Sequence, residues 1–95
     1  MKAKEKKMVE ELLELSLKVM ERTRAHISFE VSNYGPYICI GVMENGFQVD
    51  GVYEGWFTIA FGTDELTEKM QEEEYEQAKH YLEDLLQRKK KAGAA

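Results

Sequence analysis

Apolar and polar residues change their period twice along this chain, and the changes mark its elements. From Ala3 to about Arg24, Met8, Val9, Leu12, Leu13, Leu15, Val19 and Met20 recur three and four positions apart, with Glu and Lys between them. This is the period of an amphipathic helix. Glu14 stands four residues before Lys18, the favourable order for an ion pair along it. The first turns carry Lys2, Lys4, Lys6 and Lys7 at the positive end of the helix dipole, and no Ser, Thr, Asp or Asn caps them. That end is expected to fray.

From His26 the period becomes two. In HISFEVS, Ile27, Phe29 and Val31 alternate with His26, Ser28, Glu30 and Ser32, and Asn33-Tyr34-Gly35-Pro36 then reads as a turn. A hairpin closed by those four residues sets Val31 opposite Ile38, Phe29 opposite Ile40 and Ile27 opposite Val42. A slip of one residue would send the two apolar sets to opposite faces, so this register is predicted, and the six residues form the expected inner-face core.

Asn45-Gly46 suggests a type I′ turn. The stretch Phe47 to Tyr53 reads either as a fourth strand or as a loop, because Gly46, Gly51 and Gly55 punctuate it. In Trp56 to Phe61, alternation sends Phe57, Ile59 and Phe61 to one face and Trp56, Thr58 and Ala60 to the other.

Asp64 is placed to cap a second helix over residues 65–91, with an apolar stripe of Leu66, Met70, Tyr75, Ala78, Leu82, Leu85 and Leu86. Ala92 to Ala95 read as a disordered tail. The expected fold is a single small α+β domain of order α-β-β-β(-β)-α, an antiparallel meander packed against two amphipathic helices.

Composition narrows the function. A chain of 95 residues, 43% apolar and 33% charged, has room for one core. Its apolar runs fall far short of the roughly 20 residues a membrane span needs. The start, MKAKEKKMVEELLEL, turns acidic where a leader would be apolar, so neither a span nor a leader is expected. Cys39 is the sole cysteine, which excludes an intrachain disulfide and a Cys-rich zinc site and fits a reducing, cytoplasmic setting.

No HExxH, P-loop, dinucleotide glycine fingerprint or GxSxG elbow is present, so neither enzymatic activity nor a cofactor is expected. His80, between Glu76 and Asp84, reads as a surface histidine. On the outer sheet face the register sets Glu30 beside Cys39 and His26 beside Met43. A metal needs three or four converging ligands, so a metal or catalytic site around Cys39 and His26 is the least favoured function.

The α-β-β-β-α order is similar to that of double-stranded RNA-binding domains, which typically set a Lys-rich motif at the start of the second helix to meet phosphates. Here that position reads TDELTEKMQEEEYEQ, residues 26–61 contain no Lys or Arg, and the net charge is −5. The similarity is one of topology alone, and no direct nucleic-acid binding is expected.

Two surfaces stand out. The outer sheet face collects Tyr37, Cys39, Met43, Trp56 and Ala60 among Ser28, Glu30, Ser32 and Thr58. Unless a helix covers it, an aromatic and Met strip of this kind marks an interaction site. A non-enzymatic module that self-associates or binds a protein partner through this face is the leading expectation.

The second surface is the acidic run Asp64, Glu65, Glu68, Glu72, Glu73, Glu74 and Glu76, relieved only by Lys69. Such runs are usually solvated helix faces. The alternative function is an inhibitor that docks into the basic groove of a nucleic-acid enzyme, as DNA-mimicking proteins of phages and mobile elements do.

Overall fold

The computed structural model describes residues 2–32, 37–62 and 64–88. Helix α1 spans Ala3–Arg22, strands β1, β2 and β3 span His26–Ser32, Tyr37–Met43 and Gly55–Ala60, and helix α2 spans Glu65–Arg88. The predicted turn at 33–36 and the predicted helix end and tail at 89–95 lie outside the described residues.

The three strands form one antiparallel sheet in the order β1-β2-β3. Its first ladder has the predicted register, with Val31 opposite Ile38, Phe29 opposite Ile40 and Ile27 opposite Val42. The second sets Ile40 opposite Phe57 and Ile38 opposite Ile59, so one face of the sheet gathers the large apolar residues of all three strands.

Both helices seal that face. Met8, Leu12 and Val19 of α1 and Tyr75, Ala78, Leu82 and Leu85 of α2 share one core with Ile27, Ile38, Ile40, Val42, Ile59 and Phe61. The helices run parallel, as the contacts Lys2–Glu68, Lys4–Glu72 and Glu11–Tyr75 show by rising together in number. Burial and the adjoining Glu11 carboxylate push the Tyr75 hydroxyl up to about 12. Glu14 and Lys18 form the predicted pair at 3.7 Å along α1.

The stretch after β2 is a loop, one of the two readings left open for it, and the sheet has three strands among the described residues. Four expectations need correction, the first at the turn that enters this loop. The chain turns at Met43–Gly46, where the Gly46 N–H donates to the Met43 carbonyl at 3.3 Å. Gly46 takes φ 101°, but no non-glycine residue among those described has positive φ, so the type I′ turn with Asn45 left-handed does not form.

Second, Val31 lies on the inner face but is 55% exposed, because it stands at the end of an edge strand beyond the cover of α1. Third, Leu66 and Met70 are exposed. The buried stripe of α2 runs Gln71, Tyr75, Ala78, Leu82 and Leu85, and at about 100° per residue Met70 falls roughly 100° from its centre.

Fourth, the start of α1 is closed where fraying is expected from its lysines. Glu5 reaches back to accept the Lys2 N–H at 2.9 Å, and Lys2 and Lys4 pair with Glu68 and Glu72 of α2 at 2.8 and 2.6 Å. The basic turn therefore answers the acidic start of the neighbouring helix. Asp64 caps α2 as predicted, accepting the Thr67 N–H at 2.8 Å, and the Thr67 hydroxyl and N–H hold its carboxyl below the usual range.

Among the described residues, one buried side-chain polar atom has no partner. Ser16 sits fully buried on the core side of α1 with its hydroxyl unpaired. Ser16→Ala removes an unsatisfied hydroxyl and improves helix propensity, so it should stabilise the fold by about 1 kcal/mol. Thermal denaturation should show a rise of roughly 4–8 °C. A fall would mean that the hydroxyl contributes a bond after all.

Candidate functional site on the outer sheet face

Both helices take the inner face, which leaves His26, Ser28, Glu30, Ser32, Tyr37, Cys39, Gly41, Met43, Trp56, Thr58 and Ala60 on the other. The loop 44–54 folds back over one end of this outer face. The Phe47 ring meets the His26 ring edge-on at 5.2 Å, and the Gln48 N–H points to the Met43 sulfur at 3.4 Å. Met43, expected in the open strip, is consequently 5% exposed beneath the loop.

At the centre of the face, Gly41 pairs across the ladder with Trp56, and the indole lies over it. A Cβ at Gly41 would stand 2.8 Å from the indole and 2.9 Å from the Tyr53 ring, so glycine is needed for the close approach. Tyr53 supports the indole from the loop side, with ring centres 5.4 Å apart. Trp56 is nevertheless 56% exposed: its ring is propped on the sheet with much of its surface in solvent. Cys39 and Thr58 continue the strip beside it, sulfur to hydroxyl 3.6 Å, and Tyr37 and Ala60 end it as the next pair on this face.

The loop that carries Tyr53 is anchored at its base. The Glu44 N–H donates to the Glu54 carboxylate at 3.2 Å, and the Glu54 N–H donates to the Val42 carbonyl at 2.9 Å. From α2, the Tyr81 hydroxyl donates to the Glu44 carboxylate, and Arg88 lies 3.8 Å from the same group. Burial and this carboxylate raise the Tyr81 hydroxyl well above the ordinary phenol range. The Tyr81 ring also fills the space over Gly55, where a Cβ would come within 2.8 Å of it.

At the far end of the loop Phe47, Val49 and Val52 are all exposed. They extend the apolar surface and are absent from the sequence-derived candidates. Their signal was apolar residues spaced as in a strand but broken by glycines, with no partner strand to bury them.

The predicted acidic residues do not make one surface. Glu68 and Glu72 face α1 and its lysines, and Glu74 turns toward β3, lining a groove with Thr58, Ala60, Thr67, Met70 and Gln71. Glu65, Glu73 and Glu76 remain outward, Glu76 beside the exposed His80 at 3.5 Å. Among the described residues no three His, Cys, Asp or Glu side chains converge as metal ligands. Glu30 does lie opposite Cys39, but the His26 ring packs against Phe47. No described helix is long and apolar enough to cross a membrane.

No protein-family model matches the chain, and neither curated proteins nor solved structures yield a similar one.

Proposed function

We propose that the chain is a protein-interaction module that receives a partner on the outer sheet face, centred on Trp56. The observation that carries this reading is the propped indole. A large amphipathic ring, fixed by Gly41 beneath and Tyr53 beside it, meets a partner with little rotamer entropy left to lose. Tyr37, Cys39 and Thr58 extend the contact along the strands, and Phe47, Val49 and Val52 extend it along the loop. With Glu30 on the face and no Lys or Arg in residues 26–61, a neutral or basic protein surface suits it better than an acidic one.

The acidic-inhibitor reading is weaker, because two of the seven carboxylates are already paired with lysines of α1. Capture of partners from the cells that make the protein separates the two. Trp56→Ala should weaken the captured complex at least about thirtyfold, the size of a hot-spot truncation, while reversing Glu73 and Glu76 to Lys changes it little. Gly41→Val should act like Trp56→Ala by levering the indole off the sheet, with a shifted tryptophan emission and an overpacking cost of about 1–3 kcal/mol. Equal capture by Trp56→Ala and loss on charge reversal would reject the outer face in favour of the acidic helix.

A further inference from the structure

Helix α1 carries a second apolar stripe that the core does not use. Leu13, Leu17 and Met20 are all exposed, Leu17 at 48%. Glu11 and Leu15 flank the side of α1 that meets Tyr75, Lys79 and Glu83 of α2. At about 100° per residue, Leu13, Leu17 and Met20 fall on the opposite flank. Because α2 overlies β3 and the sheet order is β1-β2-β3, that flank looks out over the free edge of β1. There the inner-face residue Val31 is also uncovered. Glu10 precedes the stripe, so that 10, 13, 17 and 20 keep the three-and-four spacing of a helix-pairing seam, and α1 ends two residues further on at Arg22.

We propose that this edge binds a second copy of the chain about a two-fold axis, α1 antiparallel to α1 and β1 antiparallel to β1. The stripe is its own complement when reversed: Leu17 meets Leu17, and Leu13 meets Met20 on each side of the axis. In the strands, centring on Phe29 sets Ile27 opposite Val31 and Ser28 opposite Glu30, which keeps inner residues with inner and outer with outer and avoids opposing charges.

One axis serves both layers. Leu17 lies five residues before the end of α1, about 7.5 Å at the helical rise. Phe29 lies three residues into β1, about 10 Å at the strand rise, and the two elements run antiparallel through the short link Thr23–Ala25. The seam and the strand centre therefore stand at nearly the same height.

The β3 edge does not offer this match, since Glu74 lines its flank and would approach its own symmetry mate. The result is a continuous six-stranded sheet under four helices, with both Trp56 faces on the same side. This inference does not depend on what the outer face binds.

Light scattering on size-separated protein, with sedimentation to measure dissociation, tests it. The unaltered chain should be a dimer whose melting temperature rises with concentration, and Leu17→Lys a monomer with unchanged helical signal, because Leu17 is half exposed, and with a melting temperature independent of concentration. Leu13→Lys should weaken the dimer at least about tenfold, because both Leu13–Met20 contacts are lost. A monomer at the highest soluble concentration, or a dimer indifferent to Leu17→Lys or to Leu13→Lys, would overturn the proposal.

Discussion

Replacing Glu5 with alanine should destabilise the fold by about 3 kcal/mol, out of a total that for a chain of this size is roughly 5–14 kcal/mol. Glu5 is only 4% exposed, and its carboxylate joins three parts of the chain. It accepts the Lys2 N–H at 2.9 Å, closing the first turn of α1, and the Gln71 side-chain amide of α2 at 2.9 Å. It also accepts the Gly62 N–H between β3 and α2. Alanine takes this acceptor from all three donors and leaves the Gln71 amide only the Ala60 carbonyl at 3.1 Å. Glu5→Gln keeps the shape but loses the charge and brings its own amide hydrogens among donors, so it should fall between the two.

The same site sets an acid limit. Burial pushes the Glu5 carboxyl up, but the bonds from Lys2, Gln71 and Gly62, with the Lys2 charge, outweigh burial and hold it below its ordinary value. A carboxyl whose folded value is lowered binds protons less readily in the folded state. Its stabilisation is thus complete above the unfolded value of about 4.3 and is lost as the pH falls through the folded value. Urea unfolding between neutral pH and pH about 3 should show the unaltered chain losing stability more steeply than Glu5→Gln. Parallel slopes would remove Glu5 from that role.

Ile40→Ala should cost about as much again or more, roughly 2–5 kcal/mol. Ile40 is fully buried at the midpoint of the central strand, between Phe29 and Phe57 on its neighbours and beneath both helices. Phe29 and Phe57 hold their positions through their own ladders, so the cavity has little means of collapsing. Chemical denaturation should give a much lower midpoint with an unchanged slope. A loss under about 1 kcal/mol would mean that the aromatic neighbours close over the gap.

The place of Ile40 was readable from the sequence, and the reason is geometric. A period of two ties each side chain to a face, and a four-residue turn leaves one register that keeps the apolar sets together. Alternation could not tell how far along β1 the helices reach, so Val31 was assigned to a core that stops short of it. In α2, hydropathy ranks Leu66 and Met70 above Gln71, yet Gln71 is the buried residue because the Glu5 carboxylate needs a donor from that helix.

Such a choice depends on two residues 66 positions apart. No local pattern carries it. The register did yield the outer face with Tyr37, Cys39 and Trp56. It could not foresee that an aperiodic loop would cover Met43 and supply Tyr53, nor that the lysines of the first turn would answer the glutamates of α2.

Trp56 is the only tryptophan, so its accessibility can be read directly by acrylamide quenching across a dilution series. If the outer face is kept open for a different protein while copies join along β1 and α1, the quenching constant stays high and unchanged from dilute monomer to concentrated dimer. A tryptophan shielded in dilute solution, or one that becomes shielded as the chain self-associates, would contradict the outer face as the partner-binding surface.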